Sequence, residues 1–300
     1  MSLDHLDTLI YEELNRNGRA SMEELAAVAG LSRAAVRSRV ARLIDSGSLR
    51  VIGIVHPSAQ GVTAYAHLSI NVRGSARDVA RQIAAIDEFP LVSIVAGRAA
   101  LIAEVHAASS EDLRALVQSV RALEGVAHVE TAVYTERIKD LYAPPGVKPP
   151  ARIDDVDRQI LAILTDDGRA SFADIARRTQ YSASAIRARV HQLIERGVVR
   201  ISTVVAPGMV GLQHMCGFGV RVSAPDVVDQ IGAIPSVSYL SRTMSRWDAI
   251  GTVLAGSQAE VVAQLDRVRS VPGVEALQSW THLEVLKENQ HLTAFTVPTR

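Results

Sequence analysis

The sequence predicts an α+β protein: two winged helix-turn-helix heads alternating with two ferredoxin-like βαββαβ domains. Three observations predict it. First, residues 7–52 and 157–202 agree at roughly a third of positions at an offset of 150, far above chance, so the chain is a duplication. Second, the apolar period changes within each copy, from helical spacing at Leu6, Leu9, Ile10 and Leu14 to β-branched runs beyond residue 62. Third, each copy carries a short helix with both ends marked, opened by Ser32 or Ser182 and closed by Gly47 or Gly197.

The elements follow in order. Residues 4–16 form the first helix, which Gly18 ends. Ser21 opens the second, and Glu24 three residues on completes a capping box. Ala29-Gly30-Leu31 turns the chain into the third helix, where Val36, Val40, Leu43 and Ile44 make the apolar stripe. The run Leu49–Val55 reads as a wing or a linking strand. From Val62 a β-α-β-β-α-β order follows: strands at 62–72, 91–96, 99–105 and 126–134, with helices at 75–86 and 109–123. Its sheet has helices on one face only, so the bare face needs a cover, and a second such sheet supplies it. The pattern then repeats, and Gly18-Arg19-Ala20-Ser21 recurs intact as Gly168-Arg169-Ala170-Ser171. The expected domains are a head at 1–55, a sheet domain at 62–142, a Pro-rich linker at 143–153, a head at 154–205, a sheet domain at 211–287 and a tail at 288–300.

Composition bounds the function. Basic and acidic residues cancel at 32 each, so local rather than global charge must carry any nucleic-acid argument. No apolar run reaches the length of a membrane span and the start has no signal core, which makes the expectation a cytoplasmic protein. Cys216 stands alone, and the nine histidines show no ligand spacing, so neither a metal nor a cofactor is expected. Nucleophile-elbow and phosphate-loop motifs are absent, and the expectation is a protein that is not an enzyme.

The third helices hold the strongest chemical signal. Their exposed positions are small or basic, a surface that can lie in the major groove while guanidiniums reach guanine edges or phosphates. Candidate contacts to double-stranded DNA are Ser32, Arg33, Arg37 and Ser38 in the first copy, with Ser182, Ser184 and Arg187 in the second. Arg42 reads as a phosphate contact, and Arg50 and Arg200 lie where they can reach the backbone. Arg189 is a DNA candidate too, although it and Arg39 flank the buried stripe, where an ion pair with an acid of the first helix serves equally well. The heads differ where bases are read, Arg33 against Ala183 and Ser38 against Ala188, so unlike half-sites are expected.

These features, Asp7…Ile10…Leu14, Gly18-Arg19-Ala20-Ser21, Leu31-Ser32…Val36-Arg37-Ser38-Arg39-Val40…Leu43 and Gly47 before a βαββαβ domain, resemble the Lrp/AsnC family of bacterial and archaeal regulators. The resemblance covers almost the whole chain, as two members fused head to tail. It implies a transcriptional regulator whose second domain, called RAM and ACT-like in fold, pairs sheet to sheet and takes small effectors, often amino acids. It also implies a homo-oligomer. The family's effector loop reads Gly, any residue, an aromatic, then Asp. Here the first loop keeps the glycine of that pattern as Gly97-Arg98, and the second keeps the aromatic and the acid as Ser245-Arg246-Trp247-Asp248. Those six residues are the effector candidates, with Arg98 and Arg246 as carboxylate forks. Fused proteins similar to this family also decarboxylate haem precursors. That enzyme is the alternative, with His67, His106, His128, His214 and His282 in or near the sheets.

Overall fold

A computed structural model describes residues 3–140, 153–205 and 214–288. Residues 143–152 of the expected linker and 289–300 of the expected tail lie outside the described residues. The first copy runs α1 (His5–Arg16), α2 (Met22–Ala29), α3 (Arg33–Asp45), β1 (Leu49–Val55), β2 (Ala64–Val72), α4 (Ala76–Ala84), β3 (Leu91–Ala96), β4 (Leu101–Ala107), α5 (Ser110–Arg121) and β5 (Val126–Asp140). The second runs α6 (Asp155–Asp166), α7 (Phe172–Thr179), α8 (Ala183–Glu195), β6 (Val199–Val205), β7 (His214–Val222), α9 (Asp226–Gly232), β8 (Val237–Met244), β9 (Ala249–Ala255), α10 (Gln258–Arg269) and β10 (Val274–Glu288). The chain divides into two compact units, one with both heads and one with both sheet domains.

In the first unit the local signals act as written. Ser21 and Glu24 form the capping box, and the Ser32 and Ser182 hydroxyls each accept from an amide three residues on. Apolar stripes of both heads merge into one core in which Ile10, Leu14, Leu25, Val36, Ile160, Leu164, Ile175 and Ile186 are fully buried. Each such side chain contributes about 1.5–3 kcal/mol. The strand after α3 is a link. β1 pairs antiparallel with β6, Gly53 opposite Ile201, in a ribbon made of one strand from each head.

In the second unit eight strands close into a barrel in the order β10-β3-β4-β2-β5-β8-β9-β7. Each half is the expected βαββαβ sheet, helices outside, and the bare faces cover one another within a single chain. One element differs from expectation. The last strand of the first half does not stop at Tyr134 but runs to Asp140, pairing with β2 as far as Val133 and with β8 from there. β10 crosses the other way, from β7 to β3. An unpaired sheet edge leaves amides and carbonyls unsatisfied, and these two crossings remove both edges.

The barrel interior is polar and aromatic. His67 hydrogen-bonds through Nδ1 to Glu104 at 2.9 Å, and the Tyr134 hydroxyl donates to the same carboxylate at 2.8 Å. Tyr239 meets Tyr134 edge to face, and Trp280 tilts over His67. Burial beside Glu104 pushes the Tyr134 hydroxyl up, and burial does the same to Tyr239. Burial, aided by Arg137, holds His106 down at about 4; burial, aided by His67, holds His282 there too. Unfolded, both take a proton near pH 6.5. A depressed folded value means that the unfolded chain binds more protons between those limits. Stability is therefore full above about pH 6.5 and falls as pH drops toward 4, by about 1–2 kcal/mol for each half-buried ring. Melting temperature measured over that range should decline in the wild type and decline less in His106→Leu and His282→Leu; a wild-type curve flat from pH 7 to 4.5 contradicts the assignment.

Candidate functional site

The heads are built around two reciprocal fastenings. Arg19 donates to the Ala170 carbonyl at 2.9 Å and stacks over Phe172, while Arg169 donates to the carbonyls of Gly18 and Ala20 at 2.9 and 3.0 Å. The Gly18 amide donates to Ile201 and the Gly168 amide to Val51. A Cβ at Gly18 would lie 2.7 Å from the Ile201 carbonyl carbon, and one at Gly168 would lie 2.8 Å from that of Ile52. Glycine stands at both places because backbone passes over backbone there.

The arginines of the third helices divide into two sets. Asp7, almost completely buried, receives Arg39 at 2.8 Å and Arg42 at 2.8 Å, and Arg39 also reaches Asp4 at 2.6 Å. Arg189 does the same for Asp154 and Asp157, both at 2.8 Å. Arg39 and Asp7 lower Asp4, and the Asp157 amide and Arg189 lower Asp154. These guanidiniums clamp the third helix to the first. Arg37 and Arg187 are exposed and make no ion pair among the described residues. Arg33 sits 3.5 Å from Glu23 with both side chains exposed.

In the barrel, a small cleft is lined by Ser69, Asn71, Arg98, Ile102, His128, Glu130, Arg246, Gln278 and Trp280. The two loop arginines, which occupy equivalent places in the two halves, meet here. Arg246 is held through Nε by Glu130 at 2.5 Å and stacks over Trp247 with its Cζ 4.7 Å from the ring centre. Arg98 is exposed and unpaired among the described residues.

Comparison with known proteins places this geometry. The AsnC-type helix-turn-helix domain matches residues 3–44 and 153–194, and the Lrp/AsnC ligand binding domain matches residues 63–144. An HTH-type transcriptional regulator of Mycobacterium tuberculosis is 34% identical over 133 residues, spanning 43% of this chain and 90% of that protein. The chain belongs to the Lrp/AsnC family. The HTH-type transcriptional regulator FL11 of Pyrococcus horikoshii is 26% identical over 144 residues, 47% of this chain and 95% of that one. The fold of the whole tandem is shared with the siroheme decarboxylase NirDL in co-complex with an iron-uroporphyrin III analogue, at a TM-score of 0.68 and 15% identity over 98% of this chain and 95% of that one.

The expected site residues of this Lrp/AsnC chain differ in what they touch. Arg189, for which an ion pair with an acid of the first helix served equally well, makes that pair; Arg42, expected at a phosphate, is also held by a carboxylate of the first helix, and Arg200 donates to the Asn15 carbonyl at 2.9 Å. Ser32, Ser38, Ser182, Ser184 and Arg50 are exposed as expected. Of the effector candidates, only Arg98 and Arg246 line the cleft. The Asp248 carboxylate accepts from the Val222 amide at 2.8 Å, and Ser245 bonds within its own hairpin. Gly97 lies under Trp280, and Trp247 lies against Gly219, where a Cβ would come within 2.7 Å of the indole. Sequence reasoning missed Glu130, Asn71, Gln278 and Trp280 as neighbours of the two arginines, and named His128 only for the decarboxylase alternative. It also missed Arg19 and Arg169, whose signal was present: an arginine kept in both copies of a repeat beside a kept glycine.

Proposed function

We propose that this Lrp/AsnC protein is a sequence-specific transcriptional regulator whose two fastened heads bind double-stranded DNA and whose barrel cleft takes one small anionic effector per chain. The observation that supports it most is the division of the arginines: the inner set neutralises buried acids, and Arg37 and Arg187 are left unpaired at equivalent exposed places on α3 and α8. In the cleft, Arg98 and Arg246 against Glu130 leave one net positive charge, which suits a carboxylate held by a bidentate fork. Selecting bound fragments from genomic DNA with the full chain, with and without a panel of amino and organic acids, tests the reading; no enriched fragment would overturn it. A ligand from that panel that raises the melting temperature should lose most of that effect in Arg98→Ala. Glu130→Gln, which frees Arg246, should strengthen an anion and weaken a zwitterion.

The decarboxylase reading has the whole-chain fold likeness and the histidines of the barrel in its favour. Against it, the indoles of Trp280 and Trp247 already lie on Gly217 and Gly219, the bare backbone of strand β7. An absorbance band on mixing with a tetrapyrrole would revive it.

A further inference from the structure

The two heads share a fold but not a surface. Where the first has Ala27, Val28, Gly30 and Leu31, the second has Arg177, Arg178, Gln180 and Tyr181. Leu31 packs against the head core, whereas Tyr181 is 47% exposed. Arg177 pairs with Asp174, and Arg178 is exposed with no ion pair among the described residues. The first head offers the acids Glu23 and Glu24 on the same helix, where the second has Ala173 and Asp174. Gly30 ends α2 in the left-handed region at φ 64°, a place that glycine fills without cost. Gln180 ends α7 at φ 61° and is the lone non-glycine residue with positive φ among those described. Its side chain is exposed and makes no hydrogen bond among the described residues. Four neighbouring positions have thus changed together, each gaining a longer side chain that can donate, stack or carry charge, and none of the four is absorbed by the head's own core.

We propose that Gln180, Tyr181 and Arg178 form a second reading arm on duplex DNA that the first head lacks. The inference rests on the DNA-binding reading above. The Gln180 amide matches the N6 and N7 edge of an adenine, the Tyr181 ring covers a thymine methyl or a sugar, and Arg178 holds a phosphate. The second head is then the anchoring head, and its half-site is the longer and more strictly specified of the two.

The test uses the full chain, the duplex it enriches from a random-sequence pool, and an unrelated duplex of equal length. Gln180→Gly and Tyr181→Leu give the second head the first head's residues. Both should melt no lower than wild type, bind the enriched duplex roughly tenfold more weakly, and leave the unrelated duplex little changed. Arg178→Ala should weaken both duplexes and lower the log–log salt slope by about one. The arm is overturned when Gln180→Gly and Tyr181→Leu keep wild-type affinity while Arg187→Ala loses it, a result that leaves the regulator reading standing. A Gln180→Gly variant that melts lower gives the amide a structural role and overturns the arm as well. Should the wild-type chain enrich no duplex at all, the regulator reading falls and the arm with it.

Discussion

Valine at Gly168 or at Gly18 is expected to destabilise the head unit by about 3 kcal/mol and to abolish DNA binding with it. Space decides this, since the Cβ would press on main-chain atoms of the opposite head at 2.7–2.8 Å, and a ribbon strand cannot step aside without breaking its ladder. A thermal melt should show the loss as a drop of roughly 10 °C. Ile201→Ala in the Gly18→Val background should not restore it, because shortening the side chain leaves the Ile201 carbonyl in place. Full rescue by Ile201→Ala would show that side-chain crowding alone fixes the approach.

The second large effect separates arginines that lie two positions apart on one helix. Arg37→Ala and Arg187→Ala should each weaken specific binding by about 1–3 kcal/mol, and the double variant should bind its selected duplex no better than unrelated DNA. Neither should melt lower, since neither guanidinium has an intramolecular ion pair among the described residues. Arg39→Ala and Arg189→Ala should show the reverse emphasis. Arg189→Ala strands the buried carboxylate of Asp157 at about 1–2 kcal/mol of stability, discounted because the guanidinium is about one-third exposed, and Arg39→Ala removes one of the two partners of Asp7. Asp7 keeps Arg42 as a second partner, whereas Asp157 has no such reserve, since Gln192 stands where Arg42 does; Arg189→Ala should therefore cost more. Urea melts beside binding isotherms for the four variants check the division, and equal effects on both readouts would erase it.

What could be read from the sequence follows from how local each determinant is. Helix ends were legible because Ser21, Ser32, Ser171 and Ser182 cap amides three residues away, contacts that lie inside a short window of text. The repeat was legible because residue identities kept at one offset need no model of space. The crossing of β5 into the other half was not, since a strand continuing past Tyr134 depends on an edge supplied by β8, a hundred residues later. The cleft was half legible for the same reason. Its arginines stand in equivalent loops, but Glu130 and Gln278 reach it from strands that nothing local marks as neighbours. Arg39 and Arg189 posed a choice between an inward acid and an outward phosphate, and only the position of the first helix against the third could decide it. Gly217 and Gly219 left a trace, small residues alternating in a strand, whose meaning needed the two indoles that lie on them.

Hydroxyl-radical footprinting of the wild-type chain on its selected duplex tests the central claim most directly: two unlike heads fastened into one unit read two unlike half-sites. The expected pattern is two protected patches about one helical turn apart, different in sequence, both filled by a single chain. A short perfect palindrome filled by one chain, with both halves protected alike, would contradict it.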